Sequence, residues 1–271
     1  MKKISLMAIS VGLSALICLG FTACGEKESS EDNSPSYTAE ELRKMGNNPE
    51  YSVAQTAVLE HSDLQGKTLF WLGSSVTYGS QSEGETMADY IAKRNTCTSV
   101  KEAVSGTTLR MGEDTPDSYI ERMKEGAFTN FDGSPDIFIC QLSTNDVKTP
   151  ELYGEITSAE ITDIDAFDTT TTCGAIEYII AYAQQTWNCP VAFWSNAYYD
   201  NTHYAELVGK MKVIAEKWDI LFWNMYEDTE FNNISRGNRI LFMADQTHPK
   251  RAGYQQWWTP WFETQLLKVL K

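Results

Sequence analysis

The sequence predicts an α/β fold: a three-layer α/β/α sandwich around a mostly parallel sheet of about five strands. Two observations carry that expectation. Short apolar runs suited to buried strands recur along the chain, and segments with apolar residues at helical spacing separate them. No repeat or linker interrupts the alternation after residue 67, so the 271 residues, 42% of them hydrophobic, read as one domain with leading segments in front.

The run 68–72 is the first strand, and it breaks at Gly73 into Ser74 and Ser75. Residues 87–94 are apolar at helical spacing, behind an acidic start at 83–85 that suits a helix N-terminus. Residues 100–104 form a short second strand. Thr115-Pro116 opens the next helix, with Asp117 in its first turn and Tyr119, Met123 and Ala127 on one face. The near-continuous apolar run 137–142 is what a central parallel strand, covered on both faces, requires. A helix at 175–187 leads to a fourth strand, 190–194, and a helix at 204–218 leads to a fifth, 220–225. A final helix, 251–270, is rich in Trp, Phe and Leu. Residues 37–66 form an extension with two helical pieces, 39–44 and 53–60, expected to pack on the outside of domain 67–271. The stretch 148–172 is long for a strand-to-helix loop and leaves the third strand's carboxyl end, which places it to border a cleft.

The net charge of −15 repels phosphate backbones, so nucleic acid is not an expected partner. At the N-terminus, Lys2 and Lys3 precede the apolar stretch 4–20 and then Phe21-Thr22-Ala23-Cys24. This resembles a bacterial lipoprotein signal, with Phe21 where Leu is usual. The resemblance implies that residues 1–23 are removed and that lipidated Cys24 anchors the protein outside the cell membrane. Residues 24–36 are too polar to bury surface and read as a flexible tether, so contact with the membrane is expected through the lipid alone. Cys18 lies within the signal, and four further cysteines stand at 97, 140, 173 and 189. Cys173 and Cys189 sit at opposite ends of one expected helix, roughly 20 Å apart, beyond disulfide reach. Mostly free, buried thiols are expected, and no Cys or His cluster has metal-ligand spacing.

Chemistry collects at one edge of the expected sheet. Ser75 follows the first strand, Gly106 the second and Asn145 the third, and parallel strands bring such positions to the same carboxyl edge. Of the three histidines, His61 and His203 read as structural or surface residues. His248 differs, because Asp245 stands three residues before it on a loop ahead of the last helix. That spacing lets the carboxylate hold Nδ1 and leaves Nε2 free to take a proton from a serine.

Taken together these residues resemble the SGNH branch of the GDSL hydrolases, whose fold is a flavodoxin-like α/β/α sandwich. Gly73-Ser74-Ser75-Val76 corresponds to the block carrying the nucleophile, Val104-Ser105-Gly106 to the oxyanion glycine, and Ser143-Thr144-Asn145-Asp146 to the oxyanion asparagine. Asp245 and His248, followed by Pro249, match the closing D-x-x-H-P block. Ser74 replaces the usual Asp and Ser143 the usual Gly, which touches the local turns rather than the reacting groups. The resemblance implies a serine esterase with the triad Ser75, His248 and Asp245. Its oxyanion hole would be built from the Ser75 and Gly106 amides and the Asn145 side chain, with no cofactor and no metal. Tyr198 and Tyr199 follow the fourth strand on the same edge and are candidates to line the substrate cleft. Family members that deacetylate plant polysaccharides make a short acyl ester on a carbohydrate or small molecule the leading substrate, and no apolar lid segment is evident. A lysophospholipase or thioesterase is the alternative, as is a non-catalytic carbohydrate-binding lipoprotein, although a binder would need none of the triad.

Overall fold

The computed structural model describes residues 37–113 and 117–271. The export signal, Cys24, the tether and Thr115-Pro116 lie outside the described residues.

Five strands form one parallel sheet: β1 (Thr68–Gly73), β2 (Thr98–Ala103), β3 (Ile137–Gln141), β4 (Val191–Trp194) and β5 (Leu221–Trp223). Their spatial order is β2-β1-β3-β4-β5. Alternation along each strand feeds two separate apolar layers. Leu69 and Trp71 of β1, Ile137 and Ile139 of β3, and Trp194 of β4 face one layer, with Phe262 and Trp258 of the C-terminal helix. Phe70, Leu72, Phe138, Cys140 and Phe193 face the other. There Trp187 meets the rings of Phe70, Phe128 and Phe138 edge-on or tilted at 5.1–5.6 Å. A sheet apolar on both faces needs a helical layer on each.

The helices are α1 (Ala39–Met45), α2 (Ser75–Tyr78), α3 (Met87–Asn95), α4 (Tyr119–Glu125), α5 (Thr172–Trp187), α6 (Thr202–Trp218), α7 (Thr229–Asn232), α8 (Arg236–Phe242), α9 (Arg251–Gly253) and α10 (Thr259–Val269). A π-turn at Tyr254–Trp258 joins the last two into one continuous helix.

Three local expectations are corrected. Residues 53–60 make only a 3₁₀ turn at Val53–Gln55, and farther along the Leu59 amide donates to the Arg94 carbonyl instead of continuing a helix. The start of α3 is a capping box of Thr86 with Asp89, not the acidic run before it. Glu83 and Gly84 there have positive φ, and Glu83 and Glu85 pair with Arg251. Helix α4 begins only at Tyr119, capped by Ser118 with Glu121, because Asp117 has φ +61° and cannot occupy a first turn. Ala127 falls in a separate 3₁₀ turn.

The stretch 148–172 is tied down along its length. The Tyr153 hydroxyl donates to the His203 carbonyl at 2.9 Å, and the Met111 amide donates to Thr169 O at 2.8 Å. Glu177 accepts from the Thr157 amide and pairs with Lys217. All four described cysteines are free, two of them buried and two half-buried.

Candidate active site

The candidate nucleophile is placed by how β1 ends. A side chain at Gly73 would collide with Thr77 Oγ1 and come within 2.8 Å of Gln141 Oε1, so only glycine lets the chain turn there. Ser74 then caps α2, and Ser75 is its first residue. An amide in a first helical turn has no intrahelical acceptor, which leaves the Ser75 N–H available to a ligand. Gln141, at the end of β3, fixes the turn from below. Its Oε1 accepts from the Ser74 amide at 3.1 Å, the Thr77 amide at 3.2 Å and Thr77 Oγ1 at 2.7 Å. From the C-terminal π-turn, the Tyr254 hydroxyl donates to Val76 O at 2.5 Å.

His248 approaches from the other end of the chain. An antiparallel bridge, Met243 to Pro249, closes a loop in which the Ala244 amide donates to His248 O at 2.9 Å. Within it, Asp245 Oδ1 accepts from the Thr247 and His248 amides, each at 2.8 Å. The other carboxylate oxygen lies 2.8 Å from His248 Nδ1. Across the site, His248 Nε2 lies 2.8 Å from Ser75 Oγ. A carboxylate only accepts, so Nδ1 carries the proton and Nε2 presents a lone pair to the serine hydroxyl. Burial alone would raise the Asp245 carboxyl, but its two amide donors and the imidazole outweigh that and hold it below the usual range. Its side chain is nonetheless 52% exposed.

The remaining two loops meet around one carbonyl. Strand register sets Gly73 beside Ala103 and Leu72 beside Cys140, so the segments after β1, β2 and β3 emerge together. Gly106 has φ +86°, a conformation that favours glycine. Asn145 Nδ2 donates to Thr107 O at 2.9 Å, and Ser143 Oγ accepts from the Asn145 amide at 3.0 Å. A side-chain amide has two N–H groups, so the second stays free to reach an oxyanion. Ser143 thereby does the turn-fixing that a glycine could not.

Four buried polar residues support the site, and the sequence reading gave none of them a role, Asp146 having entered it only as the end of a block. Besides Gln141, Arg122 donates to Gly73 O at 2.9 Å and Thr107 Oγ1 at 3.0 Å, joining the first two loops from beneath. Asp146, fully buried, accepts from the Leu109 amide and Thr172 Oγ1, and burial pushes its carboxyl up against those bonds. Asn196, just past β4, donates to Thr247 O at 3.2 Å and so steadies the histidine loop. The only signal was a polar residue inside or beside an apolar run. Of the two tyrosines after β4, Tyr198 is 48% exposed, whereas Tyr199 is buried against Tyr204 and Tyr226. The described residues hold no group of three or more His, Cys, Asp or Glu arranged for a metal ion.

No family model and no curated protein matches the chain. Solved structures do. A protein described as a GDSL-like lipase from Bacteroides ovatus is 17% identical, aligned over 75% of this chain and 99% of its own, with a TM-score of 0.51. A family two carbohydrate esterase from Clostridium thermocellum, solved with cellohexaose, is 13% identical over 78% and 67%, with a TM-score of 0.52. The inhibitor-bound aryl esterase of M. smegmatis is 12% identical over 75% and 100%, with a TM-score of 0.51. At these identities the likeness is one of fold, and it places the chain in the α/β architecture of the GDSL-like hydrolases.

Proposed function

We propose that this protein is an SGNH-type serine esterase that removes a short O-acyl group, acetyl foremost, from a carbohydrate carrier. The observation that carries the reading is the relay from Ser75 Oγ through the His248 ring to Asp245, with both contacts at 2.8 Å. His248 Nε2 takes the Ser75 proton as Oγ attacks the ester carbonyl. The Ser75 and Gly106 amides and the Asn145 side chain receive the oxyanion, and the protonated imidazole then gives its proton to the departing alcohol. Water, deprotonated by the same imidazole, attacks the acyl-serine and releases the acid.

Fold likeness to a carbohydrate esterase and an aryl esterase supports an ester substrate. The test is hydrolysis of p-nitrophenyl acetate by the purified full-length chain. We expect turnover that Ser75→Ala lowers by at least about 10³-fold. Turnover unchanged in that variant would sink the reading, and absence of turnover would favour a binding protein. A series from acetyl to lauroyl esters separates it from the lysophospholipase or thioesterase alternative, with activity expected to fall as the chain lengthens. The lipoprotein reading is tested separately. Cys24→Ser should abolish metabolic labelling by palmitate and move the protein out of the membrane fraction.

A further inference from the structure

Two open clefts meet at Tyr198 on the catalytic edge. One, of about 860 Å³, runs past Glu227, Glu230 and Asn233. The other, of about 540 Å³, is bordered by Asp200, Arg239 and Asp245, so it opens onto the acid of the Ser-His-Asp relay. Volumes of this order suit an extended ligand rather than the acetyl group alone.

Tyr198 is half-exposed yet held in place. Its amide donates to Asn232 Oδ1 at 2.9 Å, and Asn232 Nδ2 is in turn spent on Met225 O and Asp228 O, both at 2.7 Å. Its ring rests on Tyr226 at 5.2 Å, and the Tyr226 hydroxyl is anchored on Tyr199 O at 3.1 Å. A flat apolar surface fixed in this way binds a planar or C–H-rich face with little ordering cost.

The polar rim selects among occupants. A long acyl chain would strip water from Asp200, Glu227 and Glu230 and return no hydrogen bond, a cost without compensation. An anionic polymer would meet Asp200, Glu230 and Asp245 with Arg239 to offset them, since the one further cation beside the trough, Lys212, is already paired with Glu227 at 2.8 Å, and the chain carries a net charge of −15. A neutral sugar chain meets neither objection. Its C–H face can lie on the Tyr198 ring while its hydroxyls donate to the carboxylates and accept from Arg239 and Asn233. The geometry points to this trough as the subsite for the neutral glycan that carries the ester, with Tyr198 as its stacking platform. The inference rests on the esterase reading.

The experiment compares the full-length chain with its Tyr198→Ala and Tyr198→Phe variants. The substrates are p-nitrophenyl acetate and acetylated xylo-oligosaccharide. Binding of unacetylated xylohexaose and of a galacturonate hexamer is measured by calorimetry. Tyr198→Ala should raise KM for the acetylated oligosaccharide about fivefold to tenfold, and by more than it raises KM for p-nitrophenyl acetate, which carries no glycan. Tyr198→Phe should retain oligosaccharide KM, which a folding defect would not. Xylohexaose should bind more tightly than the acidic hexamer, and Tyr198→Ala should lose that binding. An unchanged oligosaccharide KM in Tyr198→Ala overturns the trough and leaves the esterase standing, as does tighter binding of the acidic hexamer. If no ester is turned over, the esterase reading fails, and loss of xylohexaose binding in Tyr198→Ala then decides for the trough or its absence against it.

Discussion

Replacing Asp245 by Asn should do more harm than replacing it by Ala, and the reason lies in how its two oxygens are used. Oδ1 receives the Thr247 and His248 amides and lies 3.0 Å from Nδ1, while the other oxygen is nearer to Nδ1, at 2.8 Å. An Asn here keeps its carbonyl on the two amides and so turns its NH₂ toward Nδ1. That forces Nδ1 to accept, moves the ring proton to Nε2, and disables the base. Flipping the amide back would break two hydrogen bonds and oppose donors, at about 2–4 kcal/mol. Loss of the carboxylate charge, half-exposed and so in a high dielectric, adds about 1–3 kcal/mol. Asp245→Asn should therefore lower kcat for p-nitrophenyl acetate by about 10²–10⁵-fold, and by more than Asp245→Ala does. Asp245→Ala loses the charge term, about 10–100-fold, because water can take over the exposed Thr247 and His248 amides and Thr247 Oγ1 stands 3.0 Å from Nδ1, where it can accept the ring N–H. Adding Thr247→Val to the Ala variant should cost about a further tenfold. If Asp245→Ala is as impaired as Asp245→Asn, the tautomer argument is wrong.

Gln141→Leu leaves three buried donors around the nucleophile turn without an acceptor, and should cost about 2–4 kcal/mol in urea unfolding while lowering kcat. Undiminished stability would show that Gln141 is not what holds the turn. Lys250 is buried, its Nζ donating to Arg43 O and Ile240 O at 2.9 Å each, and burial lowers its pKa from 10.5 to about 8. A base whose folded pKa lies below its unfolded one sheds its proton on folding between the two values, so its cost is full below about pH 8 and fades by about 10.5. The stability of the wild type relative to Lys250→Met should rise across that window by up to about 3 kcal/mol, and a difference flat in pH refutes it. Arg251→Met should lower kcat about tenfold with little change in KM, measured at a temperature where circular dichroism shows the variant folded, and Arg251→Lys should recover part of it. An unchanged kcat would detach Arg251 from the site.

The strands were legible because a parallel strand covered on both faces must be an apolar run. IFICQL at 137–142 could be little else, and the observed end at Gln141 differs by one residue. The candidate site residues were legible because each stands directly after such a run or at a fixed spacing from a partner, as Asp245 does from His248. The supporting residues were not. Gln141 reads as a polar accident in an apolar strand, and Arg122 as a solvated charge on a helix, until the fold brings Gly73 and Thr107 to them. Tyr199 looked equivalent to Tyr198, but consecutive residues point opposite ways, and one of the pair packs on Tyr204 and Tyr226. The helix expected at 53–60 gave way to a 3₁₀ turn closed by the Gln55 and Thr56 amides, while the Val53 and Leu59 amides pair with Glu85 and the Arg94 carbonyl.

The contact between Ser75 and His248 joins residues 173 positions apart, so something must hold two separate loops to a fraction of an ångström. Arg251, three residues past the histidine, pairs with Glu83 at 2.8 Å and Glu85 at 2.7 Å, both on the loop that follows α2. Its amide also donates to Asn47 Oδ1, and Asn47 Nδ2 reaches Gln81 O on that same loop. Tyr254 closes the circuit at Val76 O, one residue past the nucleophile. Lys250 adds an anchor in the opposite direction, holding carbonyls in the last turns of α1 and α8, where a helix has none of its own donors to spend. A buried cation without a carboxylate is costly, and at this position the cost secures the residue two places from the base. Residues 37–51, which carry no reactive group, thereby become part of what sets the 2.8 Å between Oγ and Nε2. A displacement of about 1 Å in such a pair costs roughly 10²-fold in rate, so the esterase proposed above would depend on the N-terminal segment through the contacts of Asn47 and Arg43.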